Sequence, residues 1–185
     1  MSVAADVFKR VMRRWASGVA IVTTCNGDEI HGLTVSGFVG VSPDPALVVI
    51  SIGHNQHSHD KFHRGGVYAV SLLHAGQAEW SDRFAGRPTE AVNRFEGVAH
   101  KTAVTGEPIL DDCLAWFDCR IVAEHVAGDH TLFIGEVLAA EVVRDAPPLV
   151  FHNTAYPRLE WPPAQGAAAK GSRRKTRSAK PGGQK

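Results

Sequence analysis

How the apolar runs are joined constrains this chain most. Val19-Ala20-Ile21-Val22-Thr23-Thr24 is rich in β-branched residues, and Asn26-Gly27 follows almost at once. Asn-Gly tolerates positive φ and favours a tight hairpin, so residues 29–35 are predicted to return as an antiparallel strand. Leu47-Val48-Val49-Ile50-Ser51-Ile52, approached through Pro43-Asp44-Pro45, is apolar on both faces and predicts a strand covered on both sides. Further strands are predicted over residues 67–73, 114–124, 131–143 and 149–151, with Gly128-Asp129 as the turn inside the long pair. Most connections are therefore hairpins or short turns. The regular β-α-β alternation of a doubly wound sheet is missing, and the expected fold is mainly β (α+β), an antiparallel barrel with a few peripheral helices.

Three helices fit the remaining pattern. Asp6 is placed to cap the first, whose Val7, Phe8, Val11, Met12 and Trp15 recur at helical spacing, predicting one buried face, with Gly18 as a stop. Ser58 is placed to cap a second that runs to Arg64 and closes on Gly65-Gly66, and a third is expected around residues 77–84. No GxGxxG follows a strand and no GxxxxGK[ST] occurs, so neither a Rossmann unit nor a P-loop is supported.

Charge divides the chain in two. The net charge is +1, yet residues 161–185 hold seven basic side chains and no acidic one, which leaves 13 basic against 19 acidic over residues 1–160, a charge of −6. So acidic a body argues against general nucleic-acid binding. The expected organisation is one domain over residues 1–160 and a disordered basic tail over 161–185, whose Ala, Gly, Ser and Pro content cannot offset the entropy of ordering. Neither a membrane span nor a signal-peptide core is visible, which predicts a cytoplasmic protein. Cys25, Cys113 and Cys119 are odd in number and lack CxxC spacing, predicting mostly buried thiols rather than disulfides or a zinc ribbon.

Several segments, in order and spacing over roughly residues 6–159, resemble the flavin reductase family, whose fold is the FMN-binding split barrel. They are Ala16-Ser17-Gly18-Val19, then Gly32-Leu33-Thr34-Val35-Ser36-Gly37-Phe38 with Val41-Ser42-Pro43 and Pro45 behind it, Arg83-Phe84-Ala85, Asn93-Arg94-Phe95, Leu114-Ala115 with Cys119, Gly128-Asp129-His130, Phe133-Ile134-Gly135-Glu136-Val137 and Pro148-Leu149-Val150-Phe151. The resemblance implies an NAD(P)H:flavin oxidoreductase that reduces FMN with NADH or NADPH and passes the reduced flavin to a partner monooxygenase. It also implies a homodimer. FAD in place of FMN stays open, because His57 and His59 alter the phosphate loop and Gly37 stands where many members have serine.

By the same resemblance Gly32, Leu33, Thr34, Val35 and Ser36 contact the isoalloxazine, partly through the main chain, which a Gly- and Ser-rich segment leaves accessible. The residues alone also allow Leu33 and Val35 to be core while Thr34 and Ser36 face water. Ser51 is expected to bind the cofactor, and the loop Asn55, Gln56, His57 and Ser58 is expected to hold the phosphate, with donors at a helix N-terminus. Arg83, Phe84 and Ala85 are expected to close over the flavin. His130 is expected to position the nicotinamide and flavin, because hydride transfer between two cofactors asks the protein for orientation more than for acid–base work.

Two rival readings compete. His54, His57, His59 and His63 with Asp60 suggest a zinc hydrolase, but Asp60 directly follows His59, which breaks the HxHxDH spacing of metallo-β-lactamase-type enzymes. A split-barrel protein that binds flavin without reducing it is the other.

Overall fold

The computed structural model describes residues 2–27, 29–87 and 93–160. Eleven strands and three helices follow one another as α1 (Ala5–Met12), β1 (Ser17–Gly18), β2 (Ala20–Asn26), β3 (Glu29–Val35), β4 (Phe38–Pro43), β5 (Ala46–Gly53), α2 (His59–Gly65), β6 (Val67–Leu72), α3 (Ala78–Phe84), β7 (His100–Lys101), β8 (Ile109–Leu110), β9 (Ala115–Ala127), β10 (His130–Val142) and β11 (Val150–Phe151). Seven strands form one antiparallel sheet in the order β3-β2-β6-β9-β10-β5-β4. The sheet rolls up until β3 lies against β5, which is the split barrel. The basic segment 161–185 lies outside the described residues.

Alternation along the strands fills the barrel. Ala20, Val22, Leu33, Val35, Val48, Ile50, Tyr68 and Phe133 point inward, and Phe62 of α2 plugs the same core. A second apolar layer covers the outer face of β2, where Ile21 packs with Leu73, Phe84, Phe95 and Leu149. Thr23 and Thr24 of β2 are buried too, and their hydroxyls bond the carbonyls of Pro108 and Val67. Gly27 turns the β2–β3 hairpin with φ +64°.

Four expectations need correction. The apolar face of α1 is bare: Asp6 lies in the first turn behind an N-cap at Ala4, no residue of the helix is buried, and Trp15, beyond the helix end, is 70% exposed. Gly18 belongs to β1 and stops nothing. Ser58 has helical dihedrals and makes no capping hydrogen bond. β5 is buried on one face through Val48, Ile50 and Ile52, whereas Leu47, Val49 and Ser51 are only half-buried because β5 is covered outside by nothing comparable to α3. The sequence pattern also missed β4, an edge strand that is largely exposed and ends in proline.

Candidate functional site

β3 ends at Val35, and the chain turns through Ser36 and Gly37 into β4. At that turn the Ser51 N–H donates to the Gly37 carbonyl over 3.0 Å, and a Cβ on Gly37 would stand 3.1 Å from the Ser51 Cβ. A side chain at position 37 would crowd Ser51, so the two segments approach closely here. Toward the other end of β3, the His31 ring sits edge-on to His57, with centroids 6.5 Å apart. The segment 31–37 and the segment 51–58 therefore face each other across the β3/β5 seam.

The loop 53–58 offers donors. Among the described residues the N–H groups of Asn55, His57 and Ser58 have no backbone acceptor, whereas those of Gln56 and His59 bond the Gly53 and Gln56 carbonyls over 3.0 and 2.9 Å. Ser58 is buried, and Gln56 and His57 are exposed. Three open N–H groups with serine and histidine side chains suit an anionic group such as phosphate. The short seven-residue α2 adds its first turn behind them. His31, by contrast, is held below the usual histidine range, first by burial and then by the Lys61 ammonium beside it, so it serves as a neutral acceptor for Lys61. Lys61 also donates to Glu29 over 3.0 Å.

On the outer side of β3, a cavity of about 150 Å³ is lined by Thr34, Ser36, Ser81, Ala85, Arg87 and Tyr156 among others. The Thr34 hydroxyl donates to the Ser81 carbonyl at 2.6 Å, so it is committed to α3. The Tyr156 hydroxyl donates to Asp82 at 2.9 Å and accepts from Ser81 at 2.8 Å, locking the C-terminal segment onto α3. Leu33 and Val35 point into the barrel core, and Gly32 lets Phe84 pack flush, since a Cβ there would sit 2.6 Å from the Phe84 ring.

Of the expected site residues, Thr34, Ser36, Ser51, Asn55, Gln56, His57 and Ser58 lie along one seam, with the Leu33 and Val35 backbone. Ala85 reaches the adjoining cavity. Arg83 and Phe84 do not. The Arg83 guanidinium donates to the Glu96 carbonyl at 2.8 Å and leans on Glu79, and Phe84 is fully buried in a T-shaped contact with Phe95. Arg87 and Tyr156 line that cavity instead. Their signal was the basic residue two positions past Ala85 and the tyrosine after β11, both outside the matched motifs.

His130 opens β10 opposite Gly53, and its Nδ1–H donates to the Asp129 carboxylate at 2.6 Å, which holds Asp129 below its ordinary range. That bond leaves Nε2 turned to the loop, 3.5 Å from where a Gly53 Cβ would lie. Of the histidines in the hydrolase reading, His54 and His59 turn their Nε2 atoms to the Thr131 hydroxyl at 3.1 and 2.9 Å, His57 sits beside His31, and His63 bonds Glu124 at 2.6 Å. Among the described residues no group of three or more His, Cys, Asp or Glu is gathered to hold a metal ion. No helix among them is long and apolar enough to cross a membrane.

Comparison with known proteins gives a consistent result. A family model described as a flavin reductase like domain matches residues 12–160. The chain is 35% identical over 157 residues to the reductase component of 4-hydroxyphenylacetate 3-monooxygenase of Thermus thermophilus, covering 85% of this chain and 98% of that protein. It is 36% identical to an NADH-dependent FMN reductase of Streptomyces nodosus subsp. asukaensis, covering 84% and 85% respectively. The solved structure of flavin reductase PheA2 in its native state superposes with a TM-score of 0.79 at 34% identity, over 86% of this chain and all (100%) of that one.

Proposed function

The chain belongs to the flavin reductase family, and we propose that it is an NADH-dependent reductase that passes a hydride to FMN and supplies the reduced flavin to a partner monooxygenase. One observation carries the reading: an accessible Gly- and Ser-bearing turn after β3 and a donor-rich loop after β5 face each other across one seam. A flavin has both ends that such a seam serves, a planar ring with hydrogen-bonding edges and a phosphate. Bound FMN supplies the hydride-accepting chemistry, and the protein need only orient, shield and tune it.

In this reading the backbone of residues 34–36 bonds the pyrimidine edge of the ring, and the N–H groups of Asn55, His57 and Ser58 hold the phosphate. The turn at Gly37 and Ser51 keeps those two grips at fixed separation. Ala85, Arg87 and Tyr156 wall the outer side in place of Arg83 and Phe84. His130, held by Asp129 with Nε2 toward the loop, orients the nicotinamide or the flavin without serving as an obligatory acid.

The test is direct: NADH or NADPH is mixed with the purified chain and FMN, FAD or riboflavin, and nicotinamide absorbance is followed. Rapid oxidation with NADH and FMN is expected. Full flavin binding without nicotinamide oxidation would leave a flavin-binding protein that is not a reductase.

We also propose a cytoplasmic homodimer whose folded unit is residues 1–160, with 161–185 as an appendage. Phe8, Val11, Met12 and Trp15 form a bare apolar ridge beside Ser36 and Gly37, and Val39 and Val41 extend it along β4. Covering that ridge with a second copy would bury apolar surface next to the flavin seam.

A further inference from the structure

The loop 55–58 is bracketed by two histidines that meet on one hydroxyl. Thr131 Oγ1 lies 3.1 Å from His54 Nε2 and 2.9 Å from His59 Nε2, and Thr131 is 4% exposed. His54 precedes the loop and His59 follows it, so a single side chain of β10 ties both of its ends. The two imidazoles also stack edge-on, with centroids 5.0 Å apart, and His59 rests on Phe133 at 5.7 Å. The His54 N–H adds a main-chain tie, donating to the Asp129 carbonyl over 2.9 Å.

Chemistry gives these bonds a direction. The His59 Nδ1 faces the Asp60 carboxylate at 3.4 Å, which accepts only, so Nδ1 carries the proton and Nε2 is left as an acceptor. The Thr131 hydroxyl has one proton to give, and it goes to His59 Nε2. Its lone pairs then receive the Nε2–H of His54. Each of the two contacts to Thr131 then has one donor and one acceptor.

We propose that Thr131 is a positioning residue for phosphate recognition: by tying His54 and His59 together it holds the open N–H groups of the 55–58 loop in the arrangement that grips the phosphate of FMN. The inference rests on the reading of that loop as the phosphate site. It goes further in assigning the discrimination between phosphorylated and unphosphorylated flavin to a residue that touches neither. Without the hydroxyl, the loop's two ends lose their common anchor and the donors spread over more arrangements, a cost borne by the phosphate end alone.

The experiment compares dissociation constants for FMN and riboflavin, read from flavin fluorescence, in the natural chain and in Thr131→Val, which keeps shape and strand preference but removes the hydroxyl. FMN affinity is expected to fall about tenfold, the scale of one or two hydrogen bonds, with riboflavin affinity unchanged. Thr131→Ser restores the hydroxyl and is expected to restore FMN binding. His59→Phe keeps the packing on Phe133 and removes the acceptor, so it should repeat the selective loss even if the valine variant fails to fold. An FMN-to-riboflavin ratio unchanged in the folded variants, or an equal loss for both flavins, overturns the assignment. A natural chain that binds neither flavin would overturn the reductase reading itself, and shows this before any substitution is made.

Discussion

Glu107 gives a sharp thermodynamic test of the outer layer. Its side chain is 3% exposed, and Oε2 has no hydrogen-bond partner among the described residues. Burial, opposed by a backbone hydrogen bond at Cys25 and reinforced by the nearby Asp118 carboxylate, pushes its carboxyl up to about 7 from 4.5. Asp118 is itself satisfied, accepting from the Val104 and Thr105 N–H groups at 2.7 and 2.9 Å. A carboxyl whose folded pKa is raised binds its proton more tightly when folded. The contribution of Glu107 to stability is therefore fully present below the unfolded value of 4.5 and is lost as pH rises through about 7. At about 1.4 kcal/mol per unit, the full span is roughly 3 kcal/mol.

Glu107→Gln removes the charge and keeps the shape, leaving an amide N–H in place of the carboxylic O–H, with similar hydrogen-bonding demands. Urea melts at fixed protein concentration should show the two chains equally stable near pH 4.5 and the variant roughly 2–3 kcal/mol more stable at pH 8. A variant that gains nothing at pH 8, or gains equally at both pH values, would show that the carboxylate is solvated in the folded chain and would refute the reasoning.

Three further outcomes are expected. His130→Ala should slow NADH oxidation with FMN roughly tenfold through lost orientation, with an unchanged far-UV spectrum, and equal rates would remove His130 from the site. Gly32→Ala forces a methyl against the fully buried Phe84 ring, and denaturant melts should show a loss of about 1–3 kcal/mol; neutrality would mean that the outer layer yields more easily than its packing suggests. Replacing Phe8 and Trp15 together by serine should convert a dimer to a monomer in light scattering, and an unchanged mass would place the subunit contact elsewhere.

Local patterns carried most of the fold. Residues 29–35 were legible as a strand because Asn26-Gly27 fixes the preceding turn, and α2 ended where Gly65-Gly66 predicted because Gly66 takes φ +66°. What the pattern could not give was the environment. The spacing of Val7, Phe8, Val11 and Met12 establishes an apolar helix face but not what covers it. β4 escaped notice because an exposed edge strand needs no alternation. At the candidate site, the motifs grouped Arg83 and Phe84 with Ala85 although only Ala85 of the three faces the cavity. At the end of α3, Arg83, Phe84 and the C-cap Ala85 point in three directions. Thr131 was invisible for a different reason: its partners lie 77 and 72 residues away, and only the rolled sheet brings them together.

The two deeply buried thiols acquire a meaning from the chemistry beside them. Reduced flavin that escapes its acceptor reacts with dioxygen and yields hydrogen peroxide, which attacks thiolates far faster than thiols. Burial pushes Cys113 up to about 11 and Cys119 up to about 12. Both sulfurs thus stay protonated and walled in at neutral pH, so an oxidant made at the surface finds no thiolate to attack at either position.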